Sequence, residues 1–257
     1  MKLSRIKALA YRDYLIFIKS KWRWIELFYF PITSLIIWGF FALWTGEFAS
    51  VAGRIALVVN VFWSYAYCVQ STINLSINED TWHSEAHHLF ISGIGKWEYL
   101  FGRIIFSLIV SSLNMVFMLL TTHFLFFNIS RIIFEMVVFT VLTALTSIGI
   151  AILTAGLYFM LGREYAWLSW SSLQFFILLS FPLSPIEILP HFLQTFAKFM
   201  PYGLFFQALR NLLIGKFWFR DFCFSSLVAF LYFSFSVLIY KLGFDYSRKS
   251  GKFAKMF

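Results

Sequence analysis

Charge is scarce in this chain: Asp, Glu, Lys and Arg make up 13% of its 257 residues, with 12 carboxylates against 21 Lys and Arg. A water-soluble domain carries roughly twice that charged fraction, so a fold with a solvated surface on all sides is excluded. Cysteine is nearly absent. Cys68 and Cys223 are the only two and both fall in apolar runs, which leaves no disulfide framework or zinc cluster and reads both as small buried hydrophobes. Proline is rare and uneven, with Pro182, Pro185, Pro190 and Pro201 inside one stretch of twenty residues. The phosphate-cradling motif GxxxxGK followed by Ser or Thr is missing. Its nearest approach, Gly93-Ile94-Gly95-Lys96-Trp97, lacks the earlier glycine and the hydroxyl residue, so the chain is not expected to hydrolyse nucleotide itself. His83 and His87 stand one helical turn apart beside Glu85 and His88, but HSEAHH is not HExxH and offers no third ligand. No cofactor or metal is expected, and no catalytic residues.

What the chain has in abundance is apolar surface: 60% hydrophobic and 22% aromatic residues, 35 of them Phe. A transmembrane helix needs about 20 consecutive, mostly apolar residues. Six stretches qualify, near 27–45, 55–77, 101–127, 132–160, 166–182 and 221–244. The fold class expected is therefore all-α, a polytopic membrane protein with six transmembrane helices forming one domain over 1–257.

Lys and Arg set the orientation, because cytoplasmic flanks carry their excess. With the N-terminus inside, fifteen fall on that side and six, including Arg54, Arg131, Lys198 and Arg210, on the other. Both termini are thus expected in the cytoplasm. The net charge of +9 needs no nucleic acid, since a basic rim suits anionic headgroups.

Three segments stand out between and before the spans. In residues 1–25, Lys2, Arg5, Arg12, Lys19 and Arg23 fall on one helix edge and Leu3, Ile6, Ala10, Tyr14 and Phe17 on the opposite side, the pattern of a helix lying in the membrane interface. Residues 78–100 form a polar island containing Asn78 to Glu98, NEDTWHSEAHHLFISGIGKWE. Residues 183–220 are too apolar for a solvated loop and too rich in proline for one spanning helix. They read as a re-entrant pair of short helices, about 186–199 and 202–214, with Pro182, Pro185, Pro190 and Pro201 as its breaks. Pro31 enters the first span where a missing N–H costs little.

Within the second span Asn60, Ser64, Tyr67, Ser71, Asn74 and Asn78 recur at alternating steps of four and three, a single polar face. Ser107, Ser111, Asn114 and Thr121 repeat the rhythm in the third span, and Thr143, Ala144, Ser147, Ala151 and Ala155 make a small-residue seam in the fourth. Such seams glue helices in lipid; alternatively, Asn60, Ser64, Tyr67, Ser71 and Asn74 line a path for an amphiphilic substrate. No span centre carries an ionisable residue, which argues against a proton relay.

The order of these elements resembles the type-2 permeases of ATP-binding-cassette exporters: a basic interface helix leading into LFYFPITSLIIWGFF, the segment NEDTWHSEAHHLFISGIGKWEYLFGRI after the second span, and a proline-broken hairpin ending MPYGLFFQALRNLLIGKF before the last. The resemblance implies a permease subunit in the cell (plasma or inner) membrane, acting as a homodimer with two copies of a separate ATP-binding subunit. It also implies that the island is a coupling helix docking on that subunit through Glu79, Asp80, Trp82, Glu85 and His88. The transported substrate would be amphiphilic, a lipid, glycan or drug-like molecule. The competing expectation is an ATP-independent membrane scaffold or a secondary transporter.

Overall fold

The computed structural model describes residues 1–44, 51–83, 85–183 and 185–250, leaving aside the side chains of Ala42, Val51, Ala86 and His87. Every regular element among these residues is helical. In a bilayer this is the natural outcome, because a helix satisfies its backbone donors and acceptors internally. Five helices are long and apolar enough to cross a membrane: Lys21–Phe41, Ala52–Trp82, Lys96–Leu125, Ser130–Leu161 and Phe219–Lys249.

The N-terminal helix α1 (Leu3–Lys19) ends where Ser20 turns extended. Its hydroxyl then accepts from the Arg23 N–H and caps α2 (Lys21–Trp24). The interface helix is thus shorter than residues 1–25, and Lys21 and Arg23 belong to the first span. A π-helical turn, Ile25–Tyr29, joins α2 to α3 (Phe30–Trp44). Pro31 has no N–H to give the Leu27 carbonyl four residues back, and the side-chain amide of Asn114 donates to that carbonyl instead.

The centre of the bundle is α4 (Val51–Trp82), which packs against its sequence neighbours α3 and α5 (Glu85–Ile91) and against α6 (Lys96–Leu125), α7 (Ile133–Leu161) and α8 (Leu168–Leu179). Its 32 residues measure about 48 Å, beyond the ~30 Å of hydrocarbon in a bilayer, and Asn78–Trp82 are its last helical residues and not a loop. The turn from α5 into α6 uses Gly93 at a φ of 83°, a conformation glycine adopts freely.

The longest helix interface joins α7 (Ile133–Leu161) to α11 (Phe219–Lys249). A Cβ on Gly156 would stand 2.7 Å from the Tyr240 nitrogen, so the small residue sets how closely the backbones approach. The fifth apolar stretch, expected to span as 166–182, forms only α8 (Leu168–Leu179), twelve residues or about 18 Å. It stops at Ser180, where Phe181 takes a left-handed φ of 48° ahead of Pro182. Two short helices follow, α9 (His191–Phe199) and α10 (Gly203–Ile214), with Pro190 immediately before the first and Pro201 between them. Of the cysteines, Cys68 is buried as expected; Cys223 is exposed on the outward side of α11 and is no core residue.

Candidate functional site

The face that α1 buries is Ile6, Leu9, Asp13 and Phe17. Of the apolar side read from the sequence, Ile6 and Phe17 are buried against the chain, while Leu3 and Tyr14 are exposed. The register is set by α6: Leu9 lies against Gly102, where any side chain would meet the Leu9 Cβ at 2.7 Å, and Asp13 turns inward to an ion pair with Arg103.

Arg103 is 1% exposed and pairs with both Asp13 of α1 and Asp80 of α4. Asp80 also accepts from Arg12 at 2.6 Å and from the Tyr99 hydroxyl at 2.7 Å. The Arg103 guanidinium lies 4.8 Å from the Tyr99 ring centroid, within cation–π range. Two cations thus balance two carboxylates; Arg103, Asp13 and Asp80 are buried, while Arg12 is partly exposed. Such a group is costly to assemble: burial raises the Asp13 carboxyl above its usual range against the opposing pull of Arg103. Burial also presses on the Arg12 guanidinium, but Asp80 outweighs it and holds Arg12 above its ordinary value.

Further ties surround this clamp. Arg23 holds Glu79 through two nitrogens, Arg12 also reaches Glu85, and Glu98 accepts from the Lys2 backbone at 2.6 Å and from Arg5 at 3.3 Å. Across the bundle Lys96 pairs with Asp245 at 2.5 Å. The short α5 seats Phe90 between the rings of Tyr99 and Phe244.

The five residues expected to dock a partner divide accordingly. Asp80, 2% exposed, is turned wholly into the chain and presents no outward carboxylate, which corrects its assignment as a docking residue. Glu79 is engaged with Arg23. Trp82, at 37% exposure, and Glu85 and His88 remain at the surface, with Trp82 near the ring of Trp170.

Beside the clamp a groove of about 880 Å³ runs along α3 and α4 and is closed on its far side by α8. Arg23, Glu26 and Glu79 form its charged end, and Trp22, Trp38, Trp63, Trp82 and Trp170 much of its wall. Its polar groups are mutually oriented: Tyr67 donates to Glu26 at 2.9 Å, Asn60 to Ser34 at 3.1 Å and the Trp63 indole to Gln174 at 3.1 Å.

Asn60, Ser64 and Tyr67 line this groove. Ser71 and Asn74 do not; both are buried, and the Ser71 hydroxyl and both Asn74 amide atoms have no hydrogen-bond partner among the described residues. A repeat of 3.5 residues drifts about 20° per heptad around a straight helix, so the seam rotates off the groove as it descends. At its foot Asn78 donates to the Ser169 hydroxyl at 2.9 Å, while Gln70 donates to the Ser169 carbonyl at 2.8 Å, fastening α4 to α8. Of the hairpin prolines, Pro182 accepts from Arg210 through its carbonyl at 3.1 Å, and Pro185 opens a 3-10 turn, Ile186–Ile188.

Residues outside the sequence reading complete the site. Asp13 is the sole carboxylate in the first 25 residues and Arg103 lies inside an apolar run; a charge at either position is a signal of buried pairing. Glu26 stands one residue before the first apolar run, and only the fold brings it to Tyr67. A scan of protein-family models finds no match to this chain, and no curated protein matches it.

Proposed function

We propose that this chain is the membrane-spanning subunit of an ATP-driven exporter of the type-2 ABC class, moving an amphiphilic substrate out of the cytoplasm. The observation that carries the reading is the Arg103 clamp. It bolts the amphipathic α1 to the ends of α4 and α6 that flank the short α5, where Trp82 of α4 and Glu85 and His88 of α5 are exposed. A force applied at α5 passes into the spans through buried charges instead of dissipating in a loose loop.

In this reading α5 is the coupling helix for a separate ATP-binding subunit, and the groove along α3 and α4 is one chain's share of a path completed by a second copy. Aromatic walls with a charged end suit a molecule having both apolar and polar parts. The short α8 covers part of the fifth crossing, the proline-broken segment after it completes the passage, and α9 and α10 form a re-entrant hairpin at the outer face. Both termini lie in the cytoplasm, and the complex sits in the plasma or inner membrane with two permease and two ATPase chains.

Affinity purification of the tagged full chain from its native membrane, followed by mass spectrometry, tests the assignment. A P-loop ATPase at one copy per permease is expected. Its repeated absence, with the tag placed away from α5, would overturn it in favour of a scaffold or secondary carrier.

A further inference from the structure

At the opposite end of the bundle from the clamp, a second pocket of about 370 Å³ opens where α4 and α7 begin and α10 ends. Arg54, Arg131 and Asn128 face it, along with apolar Ile132, Leu212 and Leu213. Arg54 is the fourth residue of α4, whose first turn has no acidic residue. Arg131 lies in the 3-10 turn Ser130–Ile132 that leads into α7, whose first backbone N–H groups receive no side-chain cap from Ile132.

Cations at helix starts are unfavourable, since the unpaired N–H groups there already carry partial positive charge. Here two helix starts and two guanidiniums converge. Neither arginine forms an ion pair with a described carboxylate, including Glu135 in the first turn of α7. Asn128 uses its side-chain oxygen to accept from the Ser130 N–H at 2.8 Å, which leaves its amide nitrogen as another donor. The arrangement supplies donors and positive potential with no described carboxylate to receive them.

We propose that this pocket binds a phosphate group, that of a phospholipid headgroup. Guanidinium forks match phosphate oxygens in charge and geometry. The volume suits a headgroup and not a whole lipid, and the lip of Leu212 and Leu213 would meet the glycerol and first methylenes. Several long helices begin or end at this level, the depth at which headgroups lie. This also accounts for two arginines on the side of the bundle poor in basic residues.

The test uses the full chain, delipidated in a neutral detergent, with thermal unfolding followed by tryptophan fluorescence. The probes are dioleoylphosphatidylglycerol, dioleoylglycerol, which has the same chains without phosphate, and inorganic phosphate. Phosphatidylglycerol should stabilise the protein and dioleoylglycerol should not. In Arg54→Gln/Arg131→Gln the half-saturating concentration should rise about tenfold for each arginine removed, the loss of one charge-assisted hydrogen bond apiece. Equal stabilisation by inorganic phosphate alone would keep the phosphate site and reject the lipid as its occupant. Equal responses of the wild type and the double variant to phosphatidylglycerol, or of the wild type to phosphatidylglycerol and dioleoylglycerol, would overturn the proposal. Should the double variant not fold, Arg131→Gln alone, at an exposed position, decides: an unchanged half-saturating concentration refutes the site.

Discussion

The side-chain amide of Asn114 on α6 donates to the main-chain carbonyl of Leu27, the group to which Pro31 can give no N–H. A π-helical turn and a proline thus open the helix at one point, and a neighbouring span closes it. Asn114 is fully buried, so its loss strands a carbonyl away from water. Asn114→Leu is expected to destabilise the protein by about 1–3 kcal/mol, read as a lower midpoint of thermal unfolding in detergent. An unchanged midpoint would show that the carbonyl finds its partner elsewhere.

Removing the centre of the clamp should be more damaging. Arg103→Met leaves Asp13 and Asp80 buried and short of a cation, which costs about 3–5 kcal/mol when one partner of a buried pair is lost. Replacing the buried members together, as Asp13→Asn/Asp80→Asn/Arg103→Met, should recover most of that loss, because the one charge left, Arg12, is partly exposed and keeps its pair with Glu85. Comparison of the unfolding midpoints of the single and triple variants checks this; a triple variant no more stable than Arg103→Met would contradict the charge argument.

Under the exporter reading, the α4 seam yields two effects of opposite kind. Asn74→Leu removes a buried amide with no partner and should be neutral or stabilising by about 1 kcal/mol, with transport retained. Asn60→Leu/Tyr67→Leu alters the groove wall and releases Glu26, and should lower export several-fold while expression and assembly persist. Export assayed in vesicles beside a thermal melt separates the two. Export unchanged in the double variant would make the groove a packing feature.

At the exposed rim, Trp82→Ala/Glu85→Lys is expected to leave the fold intact, since the Arg12–Glu85 contact is an outer ion pair worth at most about 1 kcal/mol. Under the exporter reading it should raise the ATP hydrolysed per substrate moved. Full coupling in proteoliposomes would remove Trp82 and Glu85 from the docking surface.

Much of the architecture was legible in one dimension. Four of the six apolar stretches correspond to single long helices and a fifth to the span that Lys21 begins; the proline cluster marked the breaks around α9 and α10. The stretch 166–182 misled because hydropathy registers composition, whereas the left-handed Phe181 and Pro182 end the helix after twelve residues. The seam was half legible: periodicity named the residues on one face, but helix rotation decided that Tyr67 meets a groove and Asn74 a closed interior.

By itself the sequence determined that this chain is helical and suited to a membrane, since apolar run length and scarcity of charge depend on no neighbour. Only the tertiary structure decided what its few charges do. Asp13, Asp80 and Arg103 are separated by 67 and 23 residues along the chain, and their meeting depends on α1 finding the notch at Gly102. Coulombic pairing and burial depend on distance in space, which no local pattern encodes.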